Sequence, residues 1–247
     1  MKHFAIRSKS MRAGDRPFTC PGLGDRVHSV LLAHQYAKGE PVTIHVTDDK
    51  WSIAGGVKSD KKPKSWREII ELFPSEIQIE NHDVENLKEE VWLDYLFQKG
   101  YDAETYHYGD VLDMHPNDFS DIGMDVSELL KELPELDKQE KSKMICCHFD
   151  TTDLGRQIPP MTQEMIINKY RAEGYAVVTL SGKLSLKQCA HFLARSEYFV
   201  GIDSGMLHMA MLYLPYEKLR IYNKGYRSHH LVRAVANGSE LNKDVML

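Results

Sequence analysis

Short apolar segments alternate with helical patterns along the first fifty residues of the chain. Residues 3–7 and 41–46 are apolar runs of the length and composition that form strands. Between them, apolar side chains recur at helical spacing: Val27, Val30, Leu31 and Ala37. A strand, a helix and a second strand in this order predict one βαβ unit of a parallel sheet.

The same order continues with a helix at 65–73, a strand at 76–81 and a longer helix at 84–100. A further helical pattern breaks at Pro134 into a charged run over 134–143. Such a run predicts a linker between domains, and a solvated helix end within one domain is the alternative.

Beyond the charged run, the alternation of strands and helices is regular. Strands are predicted at 143–149, 175–180, 197–202 and 218–223, followed in turn by helices at 161–174, 185–196, 204–214 and 228–238. Four strand–helix repeats in about 100 residues predict a doubly wound α/β sheet. The sequence therefore predicts two small α/β domains facing each other, residues 1–138 and 139–247.

Composition narrows the class of protein. The 247 residues are 42% hydrophobic and 27% charged, as in soluble globular domains, and the net charge of −5 argues against broad nucleic-acid binding. No apolar run resembles a signal peptide or approaches the ~18 residues of a membrane span. We expect a cytoplasmic protein, free or peripheral at the membrane. Adjacent Cys146 and Cys147 point to opposite faces of a strand, which predicts buried thiols rather than a disulfide.

The segment FVGIDSGMLHMA, 199–210, carries the most specific chemical signal. It places Asp203, Ser204 and Gly205 at the carboxyl end of a strand, where ligands of open parallel sheets bind. Ser204 can cap the following helix, and Gly205 lets an anion approach the free N–H groups at its start. Asp203 suits sugar hydroxyls or loop ordering, because it repels phosphate. The alternative is that these residues only cap the helix and that His208, one turn on, fills the core.

A second strand end follows the segment CCHF, 146–149. Thr151, Thr152 and Arg156 there form a candidate diphosphate clamp, because arginine makes paired hydrogen bonds to phosphate oxygens. The alternative is an ordinary loop. Both loops lie at the same edge of the predicted sheet, which favours one shared site.

The segment PGLGDRVHS, 21–29, is a glycine loop before the first helix. It lacks the third glycine of a dinucleotide fingerprint and the Gly-Lys-Ser/Thr of a P-loop, so neither site is indicated. Gly22 and Gly24 predict a turn with exposed backbone. Asp25 at the helix start either complements the helix dipole or serves as a base that deprotonates an acceptor hydroxyl.

The basic segment 55–67 includes Lys58 and Lys61. We assign these lysines, with the glycine loop, to the acceptor side of a site. A solvated loop is the alternative, and a third possibility is a grip on nucleic-acid phosphates with Trp51 or Trp66 stacking on a base.

Taken together, these motifs resemble the heptosyltransferase family of bacterial lipopolysaccharide synthesis. The GLGD turn opens the first helix, and GKLSLKQCAHFLARSEYFVGIDSGMLHMA, 182–210, follows the family order G-x-x-S-L, helix, strand, D-S-G-x-x-H-x-A. The loop HFDTTDLGRQIP, 148–159, is similar to the family phosphate loop, with Arg156 in the basic position and without the usual aromatic residue. The chain is shorter than typical members.

The resemblance implies a GT-B fold, in which two Rossmann-like domains with doubly wound parallel sheets enclose an interdomain cleft. It implies inverting transfer of a sugar from a nucleoside-diphosphate sugar to a glycan, lipid-linked or other hydroxyl, without metal or other cofactor. Asp25 would be the catalytic base. The donor contacts implied are Thr151, Thr152, Arg156, Ser185, Asp203, Ser204, Gly205 and His208.

Three alternatives remain open. A sugar-nucleotide epimerase of the same fold is disfavoured, because its motif continues with glycine and an acidic residue where this chain has Met206, Leu207 and His208. A non-catalytic protein that binds nucleotide sugars or carbohydrates would keep the donor site alone. A transferase that glycosylates modified nucleic acid would bind DNA with strong salt dependence.

Overall fold

The structure, a computed structural model, describes residues 1–6, 23–47, 66–82, 84, 89–104, 143–151, 154–223, 235 and 238–242. The chain divides into two compact units, Met1–Lys131 and Glu132–Leu247. The predicted boundary at 138/139 falls close to this division, in a stretch outside the described residues, and it stays a prediction.

The first unit contains a four-stranded parallel sheet. Its described elements are β1 (Lys2–Ile6), α1 (Leu23–Ala37), β2 (Val42–Thr47), α2 (Trp66–Ile70), β3 (Ile77–His82), α3 (Glu89–Gln98) and β4 (Ala103–Glu104). The strands lie in the order β3-β2-β1-β4, and each neighbouring pair is parallel. The order reverses between β1 and β4, which is where α/β sheets bind ligands.

The two faces of this sheet differ because side chains alternate along each strand. One face is apolar, with Phe4, Ile44 and Val46 buried in the core on the side of α1, where the Phe4 ring lies 6.1 Å from that of Tyr36. On the opposite face, Ala5 packs in one cluster with two residues of α3. This face also carries polar side chains, namely His3, His45, Glu80 and His82.

The second unit contains a five-stranded parallel sheet. Its elements are β5 (Met144–His148), α4 (Pro160–Ala172), β6 (Ala176–Thr179), α5 (Leu186–Arg195), β7 (Tyr198–Gly201), α6 (Gly205–Tyr213), β8 (Leu219–Tyr222) and β9 (Glu240–Asn242). The strand order is β6-β5-β7-β8-β9. The chain leaves β5 towards β6 on one side and returns to β7 on the other, so the order reverses between β5 and β7.

Each unit has a core with a distinct chemical composition. Trp66 and Trp92 are buried in the first unit. Cys146, Cys147 and Cys189 are buried free thiols of the second unit. Burial raises the pKa of both Cys146 and Cys147 to about 12, as expected for thiols packed between sheet and helices.

The predicted strands and helices of the described stretches are confirmed, with ends shifted by a few residues. Two short strands, β4 and β9, were not predicted, because two or three residues carry too little alternation. The helical pattern before Pro134 and most of the last predicted helix, 228–238, lie outside the described residues. Among the helices that the structure describes, none combines the length and the hydropathy that a membrane crossing requires.

Candidate functional site

The candidate site lies where the order of the second sheet reverses. His148, the last residue of β5, pairs in register with Gly201, the last residue of β7. The backbone N–H of Ile202 also donates to the His148 carbonyl at 3.2 Å. The two loops that the sequence assigned to one site therefore begin side by side, at the carboxyl edge where such sheets bind ligands.

Gly201 allows this close approach of the two strands. A Cβ at this position would lie 2.4 Å from the His148 carbonyl oxygen and 2.8 Å from the Phe199 ring. The carbonyl belongs to a paired strand and cannot rotate away without breaking sheet hydrogen bonds. The site thus depends on a residue without a side chain at the end of β7.

We predict that Gly201→Ala lowers the free energy of unfolding by about 1–3 kcal/mol, the usual range for overpacking a close-packed site. Urea unfolding measures the change. Gly182→Ala is the matched control, because a Cβ there meets nothing within 4 Å. Equal midpoints for the two variants would contradict the prediction.

Asp203 is a buried carboxylate that follows β7. Its side chain is 3% exposed, and neither carboxylate oxygen has a hydrogen-bond partner among the described residues. Arg156 Nη1 lies 3.9 Å from Asp203 Oδ1 and donates to the Asp203 carbonyl at 3.1 Å. Burying a carboxylate without hydrogen bonds is costly, and the described residues leave the acceptor capacity of both Asp203 oxygens unused.

Ser204 occupies the N-cap position of α6, as predicted, but its side chain makes no capping hydrogen bond. The Ser204 hydroxyl instead lies 3.1 Å from His148 Nδ1. The prediction that Ser204 caps this helix through its side chain is therefore wrong. The Ser204 hydroxyl contacts His148 instead of the helix backbone. It therefore does not compete with an anion for the first N–H groups of α6.

The other predicted donor residues that the structure describes lie in the segment after β5 and in α6. Thr151 is half-buried, Gly205 is the first residue of α6 and His208 is buried in that helix. Arg156 ends a short 3-10 turn, Leu154–Arg156. Thr152 lies outside the described residues. His148 was not predicted, because its place in the site follows only from the pairing of β5 with β7.

Ser185 has a structural contact of its own. Its hydroxyl accepts from the Gln188 N–H at 3.1 Å, and the Gln188 side chain accepts from the Ser185 N–H at 2.9 Å. This reciprocal pair is a capping box that starts α5. The assignment of Ser185 to the donor site stays a prediction.

We predict that Ser185→Ala costs about 1 kcal/mol of stability, because the Gln188 N–H in the first turn of α5 loses its acceptor. Chemical unfolding of the purified protein provides the measurement. Ser185→Thr keeps a capping hydroxyl and serves as the control. An unchanged unfolding midpoint in the alanine variant would argue against an energetic role for the cap.

The acceptor-side residues are described only in part. Gly24 and Asp25 lie in the first turn of α1, and the Asp25 side chain is outside the description. Gly22, Lys58 and Lys61 also lie outside the described residues. Trp66 is 2% exposed, and the Arg26 guanidinium lies 5.1 Å from its ring. It therefore cannot stack on a nucleic-acid base.

A cluster on the polar face of the first sheet was missed by sequence analysis. His45 Nδ1 lies 3.0 Å from His82 Nε2, and Glu80 oxygens lie 3.6 Å from each of these nitrogens. Burial lowers the pKa of His45 to about 4 and also lowers that of His82, so both rings are neutral at pH 7. These groups can hold a metal ion, so the expectation that the protein works without metal is not confirmed.

The missed cluster combines residues from two strands. His45 and Glu80 are register partners on β2 and β3, and His82 follows two positions later on the same face. Sequence alone contains the period of two in each strand. It does not contain the register between the strands, and the register brings the three side chains together.

The comparisons with known proteins point to one family. Residues 159–212 match the family model of glycosyltransferase family 9 (heptosyltransferase). No curated protein matches the chain. The matched segment contains α4, α5, all but the last residue of α6 and the whole of 182–210, and the resemblance is confirmed there. The GLGD turn and residues 148–158 lie outside the matched segment.

Several solved structures are similar in fold, and two of them are glycosyltransferases of Escherichia coli. The Escherichia coli ADP-heptose lps heptosyltransferase II has a TM-score of 0.56 at 16% identity, covering 98% of this chain and 90% of its own. The iron-containing dodecameric glycosyltransferase TibC from enterotoxigenic E. coli H10407 has a TM-score of 0.50 at 15% identity. The match covers 90% of this chain, which spans 58% of the length of TibC. The predicted α/β class with two Rossmann-like parallel sheets of the GT-B type is confirmed.

Proposed function

We propose that the chain is a glycosyltransferase that transfers a sugar from a nucleoside-diphosphate sugar to an acceptor hydroxyl. The observation that carries the proposal is the assembly of Arg156, Asp203 and the start of α6 where the second sheet reverses its order. Asp203 and the start of α6 lie within the segment that matches glycosyltransferase family 9 (heptosyltransferase).

The donor diphosphate would bind at the start of α6. Backbone N–H groups and the helix dipole favour an anion there, and the Ser204 side chain is turned to His148. The Arg156 guanidinium adds a positive charge next to this helix start. Thr151, half-buried in the adjacent loop, supplies a hydroxyl for the same phosphates.

Asp203 would bind the sugar rather than the phosphates, because a carboxylate repels a diphosphate. Its two oxygens have no hydrogen-bond partner among the described residues, so they can accept from two sugar hydroxyls. The Arg156 guanidinium, placed between the carboxylate and the phosphates, would reduce the repulsion between these two negative groups.

ADP-heptose is the first donor to test. The similar E. coli structure is described as an ADP-heptose lps heptosyltransferase, and the family model is that of heptosyltransferases. For the acceptor, we propose only its chemical class: a hydroxyl group of a glycan or of a lipid-linked saccharide.

Asp25 is the proposed base, from its place in the first turn of α1 and the resemblance of the GD turn. It would take the proton of the acceptor hydroxyl while the acceptor oxygen forms a bond to the anomeric carbon. The bond from that carbon to the diphosphate oxygen breaks, and the nucleoside diphosphate leaves with the electron pair. Arg156 and the helix dipole stabilise the charge that develops on the leaving group.

Calorimetric titration tests the donor site. We expect one of ADP, GDP, UDP and CDP to bind the purified protein selectively, and Arg156→Ala to weaken that binding about 10- to 100-fold, as for the loss of a charge-assisted contact. Arg171→Ala is the matched control, because Arg171 is an exposed arginine on α4 whose guanidinium donates to the Asn168 side chain one turn away.

The titration also has a result that contradicts the proposal. If none of the four nucleotides and no ADP-heptose binds at millimolar concentration, the proposed donor site is contradicted. Equal losses for the Arg156 and Arg171 variants would show a general charge effect instead of a site.

A further inference from the structure

We propose that His45, Glu80 and His82 form a binding site for one divalent transition-metal ion, with Zn²⁺ as the best-fitting ion. The site lies on the face of the first sheet that α3 covers. Its three residues belong to the first unit, whereas the proposed donor residues belong to the second, and the inference does not depend on the transferase proposal.

The spacing of the donor atoms matches a single shared ion. The three pairs are His45 Nδ1 to His82 Nε2 at 3.0 Å, and Glu80 to each histidine at 3.6 Å. Zinc bonds of 2.0–2.2 Å in a tetrahedral site put the ligand atoms about 3.3 Å apart. The observed distances, which run from His45 to Glu80 Oε2 and from His82 to Glu80 Oε1, bracket that value, so a small rotation of the Glu80 carboxylate brings one oxygen to the shared ion.

Hydrogen bonds among the side chains account for the positions of the histidine rings but not for the position of the Glu80 carboxylate. Two neutral imidazoles can share one proton at 3.0 Å, and His45 Nε2 lies 2.9 Å from His3 Nδ1, so a chain of three histidines satisfies the rings. Such a chain leaves the Glu80 carboxylate 3.6 Å from both rings, which is beyond hydrogen-bond distance. A cation between the three groups would join this carboxylate to the two rings, which the histidine chain does not.

Outer contacts hold the three ligands in position. With His45 bound to the ion through Nδ1, its Nε2–H can donate to His3 Nδ1 at 2.9 Å, which fixes the tautomer. The Tyr101 hydroxyl donates to Glu80 Oε1 at 3.1 Å and orients the carboxylate. The Trp92 ring lies 5.2 Å from the His82 ring and limits its rotation. Ligands with such outer partners are typical of true metal sites.

Access to the site comes from the side of Glu80. His45 is fully buried and His82 nearly so, whereas the Glu80 side chain is 42% exposed. Two nitrogens and one carboxylate oxygen suit zinc and neighbouring divalent ions, and three protein ligands leave one position for water. The ion would link β3 to β2, because each of these strands supplies a ligand.

Metal titration of untagged, chelator-treated, full-length protein tests the site. We expect one equivalent of Co²⁺ to bind with the visible absorption of a tetrahedral site, and Zn²⁺ to displace it and to raise the melting temperature. Glu80→Gln and His82→Ala should each weaken the binding at least 10-fold. Glu80→Gln is the decisive variant, because Glu80 is partly exposed and an amide of equal size preserves the fold.

His191→Ala is the control, since His191 lies on α5 in the other unit and should leave binding unchanged. Two results overturn the proposal: no stoichiometric binding of Co²⁺ or Zn²⁺ by the wild-type protein, or binding of equal strength by Glu80→Gln. Folding of each variant is checked by its circular dichroism and unfolding midpoint.

Discussion

Asp203→Asn should separate recognition of the sugar from recognition of the diphosphate. We expect the affinity for the nucleotide sugar to fall about 10- to 100-fold, because hydrogen bonds to a charged acceptor contribute roughly 1.5–3 kcal/mol. The affinity for the nucleoside diphosphate alone should stay equal or rise, since a repelling charge is removed. The Asp203 carbonyl that accepts from Arg156 is retained, so the loop keeps its anchor.

Asp203→Asn should weaken binding of the nucleotide sugar without lowering the stability of the protein. The carboxylate is buried without hydrogen bonds among the described residues, so the neutral amide should leave the melting temperature unchanged or raise it. Calorimetry with the two ligands and a thermal melt measure both effects, with Glu173→Gln on the exposed end of α4 as control. Parallel losses for sugar-bearing and sugar-free ligands would contradict the assignment of Asp203 to the sugar.

Asp25→Asn should abolish most of the transfer without affecting donor binding. An amide cannot take the proton of the acceptor hydroxyl, and loss of a general base costs about 10²–10⁴-fold in rate. The rate is measured as release of nucleoside diphosphate from the donor that the titration identifies. Glu40→Gln, an exposed carboxylate after α1, is the control.

Two other outcomes of that experiment are informative. Equal rates for wild type and Asp25→Asn would remove Asp25 as the base. Tight donor binding with no turnover in either protein would favour the alternative of a non-catalytic nucleotide-sugar-binding protein.

The prediction of the second sheet is most accurate where local sequence rules and tertiary structure agree. The buried strand β7 ends in glycine, an acid and a helix start, and each of these features is readable from neighbouring residues. Ser204 was predicted as a side-chain cap because the local rule is strong, yet its hydroxyl contacts His148, 56 positions away. A pattern in one segment contains no information on a partner in another strand.

The same limit explains the missed cluster of the first sheet. His45 reads as a polar interruption of an apolar strand, and Glu80 and His82 read as the solvated end of β3. Only the register between β2 and β3 places the three on one face under α3. The two Rossmann-like sheets were predictable because the spacing of apolar residues and the order of strands and helices are enough to indicate them. Which side chains meet across strands depends on the pairing register, which the sequence does not reveal.

The distribution of tryptophan and cysteine gives each unit its own spectroscopic or chemical reporter. All three tryptophans, Trp51, Trp66 and Trp92, belong to the first unit, so intrinsic tryptophan fluorescence follows that unit alone. Cys146, Cys147 and Cys189 are buried in the second unit, so their reaction with a thiol reagent requires that unit to open. The fourth cysteine, Cys20, belongs to the first unit, so a Cys20→Ser variant permits the unfolding of the two halves to be timed separately in one sample.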